Sequence, residues 1–317
     1  MISKKINIKE FLLKYMMTIV LIVIVIAMSI ARPEFLSSDN ILNVLRQIAV
    51  NAVLAFGMTF VIITGGIDLS VGSILAVSGV FAAGFMKNGM PIFPSCIIGI
   101  LLAGLLGFIN GLTISKFKVP PFVITLAMMT IGRGIAYVYT DGRPIVDLNE
   151  NFLVLGRGRF LDLIPWPIIV MLLVMGATAL LLNKTKYGRY VYALGGNEEA
   201  ARVSGININK IKTIVYTVNG LLAGLAGVVL ASRINSGQPQ AGVSYELDAI
   251  AAVVIGGTSL SGGVGTIQGT LLGALIIGVI NNSLNLLGVN QYYQMIVKGL
   301  VIALAVIVDV VSAKKNK

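Results

Sequence analysis

Apolar and polar positions fall along this chain in long blocks. Apolar stretches occur at 15–31, 47–64, 72–86, 91–113, 120–139, 165–182, 213–231, 249–257, 264–287 and 292–312. A helix crossing a bilayer needs about 20 mostly apolar residues, because the hydrocarbon core is about 30 Å thick. The eighth stretch is short and reads as a half-helix or re-entrant segment. The pattern predicts an all-α integral membrane protein, a polytopic helical bundle of about ten transmembrane helices. Polar segments 32–46 and 140–164 are expected outside the membrane, and 183–212 inside. None is long enough to form its own domain, so 1–317 reads as a single transmembrane domain.

Composition agrees with the pattern. Hydrophobic residues make up 56% of the chain and charged residues 12%, against about 25% charged in soluble domains. So few charges cannot cover a water-soluble surface. The chain has one cysteine, Cys96, and no histidine. An internal disulfide is therefore excluded, a zinc site is not expected, and serine–histidine and cysteine–histidine catalysis are ruled out. Cys96 lies in an apolar run, which suits packing.

The net charge of +11 records orientation rather than nucleic-acid binding. With the N-terminus inside and strict alternation of spans, 13 of the 15 lysines fall in inside segments. They are Lys4, Lys5, Lys9, Lys14, Lys116, Lys118, Lys184, Lys186, Lys210, Lys212, Lys314, Lys315 and Lys317. This places both termini in the cytoplasm of a multi-pass cell-membrane protein. The first apolar run exceeds the core of a signal peptide and ends in Arg32-Pro33-Glu34-Phe35, so it reads as a retained span. Arg133 and Lys298 are expected near the outer ends of spans, where long side chains snorkel.

Two glycine-bearing segments interrupt the apolar runs. The first is Thr64-Gly65-Gly66-Ile67-Asp68-Leu69-Ser70-Val71-Gly72 and the second is Ile255-Gly256-Gly257-Thr258-Ser259-Leu260-Ser261-Gly262-Gly263. Both read as breaks between helices at membrane depth, and their likeness suggests an internal repeat. Irregular backbone at that depth is tolerated only inside protein or beside water. Gly65, Gly66, Asp68, Ser70, Gly72, Gly256, Gly257, Ser261 and Gly263 are thus candidates for a solute pathway or its helix breaks. Asp68 suits either a cap for the helix starting near Ser70 or a lining role.

Within 183–212, Asn197 is an N-cap candidate, Glu198 and Glu199 suit the positive end of a helix dipole, Ala200 and Ala201 favour helix, and Gly205 suits its end. Such a capped helix fits docking in a partner's groove, or an ordinary surface role. No G-x-x-x-x-G-K-[ST] phosphate loop occurs, so nucleotide would have to be hydrolysed by another chain.

Glu199-Ala200-Ala201 followed by Gly205 resembles the E-A-A-x-x-x-G loop of ATP-binding-cassette (ABC) importer permeases, although the leucine-proline part of that signature is absent. Together with Gly65 to Gly72, Gly188-Arg189, Gly195-Gly196-Asn197 and Gly256 to Gly263, it is similar to the ribose-type sugar permease family from about residue 40 to 310. The resemblance implies two permease copies forming a pathway for a monosaccharide, with no cofactor held by the chain. It also implies a cytoplasmic ABC ATPase on the 183–212 loop and an external sugar-binding protein. Arg143, Arg157 and Arg159 are candidates for docking that protein, or are solvated loop charges. An ion-coupled secondary transporter remains the alternative, with Asp68, Glu246, Asp248 and Asp309 as its few candidate acids.

Overall fold

A computed structural model describes residues 8–315, with side chains described from Met16 to Ile307 apart from Ala305. Lys4, Lys5 and Lys317 lie outside the described residues, as does the side chain of Asp309. The protein is built from helices α1 (Ile8–Ala31), α2 (Ser38–Ile63), α3 (Val71–Lys87), α4 (Ile92–Phe117), α5 (Pro121–Thr140), α6 (Glu150–Arg157), α7 (Trp166–Lys184), α8 (Lys186–Gly196), α9 (Glu198–Val203), α10 (Ile208–Ile234), α11 (Tyr245–Ile255), α12 (Ile267–Leu286) and α13 (Gln291–Lys315). Four two-residue strands complete it: β1 (Ile145–Val146), β2 (Arg159–Phe160), β3 (Ile164–Pro165) and β4 (Ser236–Gly237).

Each apolar stretch read from the sequence falls on a helix. Six of the described helices, α2, α4, α5, α7, α10 and α12, are long and apolar enough to cross a membrane. The polar segment 32–46 is not a loop. Pro33–Leu36 forms a 3-10 turn, and α2 starts at Ser38, with the Ser37 side chain accepting from the Asn40 N–H.

α2 is the centre of the bundle, packed by α7, α10, α11 and α12 and buried almost without interruption from Ile48 to Ile63. A helix that is apolar on every face belongs in such a position. Lipid is as apolar as leucine, so association between spans depends on close packing rather than on escape from water. The α4–α10 contact shows how. Gly107 and Gly111 lie against the backbone of Tyr216, Gly220 and Thr213, and Gly220 and Gly224 lie against Ala103. Small residues four apart on both helices let the backbones meet.

At the end of the bundle that carries segment 140–164, β1 pairs antiparallel with β4, Ile145 opposite Gly237. This joins the segment after α5 to the segment after α10. β2 and β3 form a hairpin whose turn places Leu161 and Asp162 at φ +50° and +56°.

Candidate functional site

The two sequence breaks end their helices in the same manner. After α2, the Gly65 N–H donates to the Ile62 carbonyl at 2.9 Å and the Gly66 N–H to the Val61 carbonyl at 3.0 Å. After α11, the Gly257 N–H donates to Val254 at 2.9 Å and the Thr258 N–H to Val253 at 3.1 Å. This is the Schellman closure, which needs a residue at positive φ, here Gly65 (+76°) and Gly257 (+86°). Gly65 therefore corresponds to Gly257, one position away from the match that the paired glycines suggest. Gly256 is needed for another reason: a Cβ there would run into the Gly269 backbone of α12. The same closure follows α3, α9 and α12, so it is not by itself the mark of a repeat.

Between α2 and α3, Asp68 is fully buried. One carboxylate oxygen accepts from the Ser70 N–H at 2.9 Å and from the Ser70 hydroxyl at 2.5 Å. The other accepts from the Asn219 amide of α10 at 2.9 Å. Ser70 in turn accepts from Asn110 of α4 at 2.9 Å. Asp68 thus joins the start of α3 to α10, with Ser70 extending the network to α4, and takes part in no ion pair among the described residues. Ser70 itself occupies the N-cap of α3 without a side-chain cap bond. Gly72, two residues on, leaves room for the Gly242 carbonyl and the Glu246 carboxylate.

The glycine-bearing segments converge. The Gly263 N–H donates to the carbonyl of Ile63, the last residue of α2, at 2.9 Å. Gly195 of α8 lies on the same carbonyl, and Gly262 lies against Gly195 and Gly65. The Tyr192 hydroxyl donates to the Gly265 carbonyl at 2.7 Å, and the buried hydroxyls of Thr59 and Thr270 meet at 2.8 Å. Both breaks and the start of the 183–212 segment form one joint. Ser261 stands exposed at its edge, its N–H donating to the Ser259 hydroxyl.

The 183–212 segment is more helical than its glycines suggest. α8 had no counterpart in the sequence reading. It is capped by the Thr185 side chain, which accepts from the Gly188 N–H, and it buries Val191 and Leu194. α9 follows with Asn197 capping the Ala200 N–H at 2.9 Å and Gly205 closing at φ +83°. Glu198 pairs with Lys212 at 2.7 Å and with Arg202 at 3.3 Å, fixing α9 to α10. Ala201 is turned inward, 4% exposed, against Leu194 and Ile208. Its small side chain serves the internal contact, while Glu199, Ala200 and Val203 form the open surface.

In segment 140–164, Arg143 and Arg159 are exposed, and the Arg157 Nε donates to the Arg233 carbonyl at 2.8 Å, so Arg157 is partly a structural residue. Two basic residues differ from the snorkelling expectation. Lys298 of α13 pairs with the buried Asp248 of α11 at 3.0 Å, and Arg133 donates to the carbonyls of Pro239 and Ala241. Asn110 and Asn219 are ordinary span asparagines in the sequence. Only the fold reveals that they meet in one network, Asn219 on the Asp68 carboxylate and Asn110 on the Ser70 hydroxyl.

A family model described as branched-chain amino acid transport system / permease component matches residues 40–306. The ribose import permease protein RbsC of Bacillus subtilis is 55% identical over 291 residues, 91% of this chain and 90% of the relative. RbsC of Haemophilus influenzae is 53% identical over 307 residues, covering 96% and 95%. The L-arabinose transport system permease protein AraH of Escherichia coli is 38% identical over 296 residues, covering 93% and 90%. A solved structure described as an inward-facing conformation of a metal-chelate type ABC transporter matches with a TM-score of 0.53 at 14% identity, over 94% of this chain and 98% of that one. That likeness concerns the fold alone. An ion-coupled carrier is set aside by these matches, and the chain is a multi-pass membrane transport component rather than an enzyme. It belongs to the branched-chain amino acid transport system / permease component family, among the ribose-type sugar permeases of ABC importers.

Proposed function

We propose that this chain is the membrane-spanning permease of an ATP-driven importer whose solute is ribose. The observation that carries the reading is identity above one half to two ribose import permeases over at least nine-tenths of the chain. The chain itself holds no cofactor. A separate ATPase supplies the energy inside, and a sugar-binding protein delivers solute outside. Two copies of the chain enclose the path, each one transmembrane domain with about ten crossings and both termini in the cytoplasm. Sealed vesicles carrying the permease, ATPase and binding protein should accumulate ribose only with ATP on the ATPase side. Accumulation driven by an ion gradient without ATP would overturn the reading.

The ATPase engages α9 on its open surface. Because Ala201 faces inward, the contact is made by Glu199, Ala200 and Val203, the last 82% exposed. A Val203→Cys permease should crosslink to a cysteine placed in the ATPase groove, and Ala201→Cys should not. An assembled complex that crosslinks through Ala201→Cys alone would reject this placement.

Arg143 and Arg159 receive carboxylates of the binding protein, since the guanidinium fork pairs with them in two-point fashion. The double change Arg143→Glu, Arg159→Glu should raise the binding-protein concentration needed for half-maximal uptake by about tenfold, the equivalent of roughly 1.4 kcal/mol. The effect should shrink as salt rises, because exposed charges are screened. A shift that salt does not alter would point to misfolding of the outer loops instead.

A further inference from the structure

Between α5 and the start of α11 lies an open cavity of about 500 Å3, lined by Met129, Thr130, Arg133, Gly134, Val243, Ser244 and Glu246. Its depth can be read along α5. Arg133 stands twelve residues from Pro121, which at 1.5 Å per residue is roughly 18 Å from the cytoplasmic end of the span. That is near the middle of a hydrocarbon core about 30 Å thick.

Two features of this cavity are incompatible with lipid. It presents a guanidinium, a carboxylate and two hydroxyls at that depth, and charged groups there face protein or water. The segment before α11 is also irregular backbone at the same level. Arg133 donates to the carbonyls of Pro239 and Ala241, and Gly242 packs on Gly72 of α3. Non-helical backbone inside a membrane is sustained only where protein buries it or where it lines a wet cavity. Arg133 Nη1 is engaged by the two carbonyls, and Arg133 also lines the cavity.

We infer that this cavity is the chain's share of a water-filled solute path, and that Thr130, Arg133, Ser244 and Glu246 contact a neutral polyhydroxylated solute in transit. The chemistry fits that class. Adjacent hydroxyls of a sugar donate to a carboxylate and accept from a guanidinium, and such charge-assisted bonds are the stronger kind. Volume agrees as well, since small-molecule sites occupy about 300–1,000 Å3. The inference rests on the importer reading above.

The test uses the whole transporter in vesicles, with Cys96→Ala as background and Thr130→Cys or Gly134→Cys added. Gly134 has open space for a side chain, which guards against a misfolded Thr130 variant. A charged, membrane-impermeant methanethiosulfonate is applied to both faces, with Leu105→Cys on the exposed face of α4 as the lipid control. Thiolates form in water and react as such, so both cavity cysteines should label at least about tenfold faster than the control. Ribose with binding protein and ATP should slow that labelling. Cysteines no faster than Leu105→Cys, in a transporter that still accumulates ribose, would overturn the path. Fast labelling that ribose leaves unchanged would overturn the solute contact. A Cys96→Ala parent that transports no ribose with ATP and binding protein, beside cavity cysteines that label fast, would remove the importer reading and leave the wet cavity standing.

Discussion

Alanine at Gly195 is expected to abolish ribose uptake, whereas alanine at the neighbouring Gly196 leaves uptake near the parental level. The difference is steric. A Cβ on Gly195 would overlap the Ile63 carbonyl and come within 2.6 Å of the Gly263 nitrogen, both backbone atoms that cannot swing aside. A Cβ on Gly196 would meet nothing within 4 Å. Alanine at 195 must push α8 off the end of α2 and disturb the hydrogen bond from Gly263 to Ile63. Overpacking of this kind costs about 1–3 kcal/mol even where side chains take up the strain, and here backbone must move. The change falls on the joint where α8 touches both helix breaks, next to α9, the helix proposed above to meet the ATPase. Transport should fall further than protein level. The check is paired: membrane content by immunoblot and ATP-driven uptake in vesicles, for both variants. Equal uptake by the two would show that contact at Ile63 is dispensable.

That joint was only partly legible in the sequence. The breaks at 64–72 and 255–263 stand out because glycine and polar residues interrupt apolar runs, and a helix must end there. Their meeting with Gly195 is a contact across distant sequence, and local pattern does not encode it. α8 was hidden by the same glycines: Gly188, Gly195 and Gly196 read as breakers, yet Gly188 and Gly195 sit where neighbouring backbone leaves no room for a Cβ. α9 was readable at both ends, since Asn197 and Gly205 each have one dominant local use, and both take it. The inward turn of Ala201 was not readable, because alanine suits either side of a short helix. α2 begins well before its apolar stretch since Asp39, Asn43 and Arg46 extend the helix beyond the buried part. Lys298 and Arg133 were placed by a general rule for long basic side chains. Specific partners, Asp248 and the carbonyls of Pro239 and Ala241, prevailed over it.

The Asp68 network leads to the other large effect. Asp68→Leu should remove most of the folded permease from the membrane, while Asp68→Asn should retain both protein and uptake. Leucine keeps the branched shape, with methyls larger than the carboxylate oxygens, but offers no acceptor. It strands the Ser70 N–H, the Ser70 hydroxyl and the Asn219 amide, all buried. Each stranded donor costs about 1–3 kcal/mol, and folded domains are stable by only roughly 5–15 kcal/mol in all. Asparagine is different. Its oxygen still accepts from Ser70, and its amide needs an acceptor where Asn219 now donates. Rotating the Asn219 amide supplies one, because the Asn219 oxygen has no partner in the present arrangement. The exchange moves one unpaired atom from acceptor to donor rather than adding three. Asn219→Leu combined with Asp68→Asn removes that remedy but keeps Ser70 paired, so it strands the new amide alone and should fall between Asp68→Asn and Asp68→Leu. Detergent-solubilised protein, followed by size-exclusion profile and ATP-driven uptake, separates the possibilities. Asp68→Asn that folds as well as the parent but carries no solute would show that the negative charge itself works in transport. The tie from Asp68 to Ser70 and Asn219 would then be the lesser of its roles.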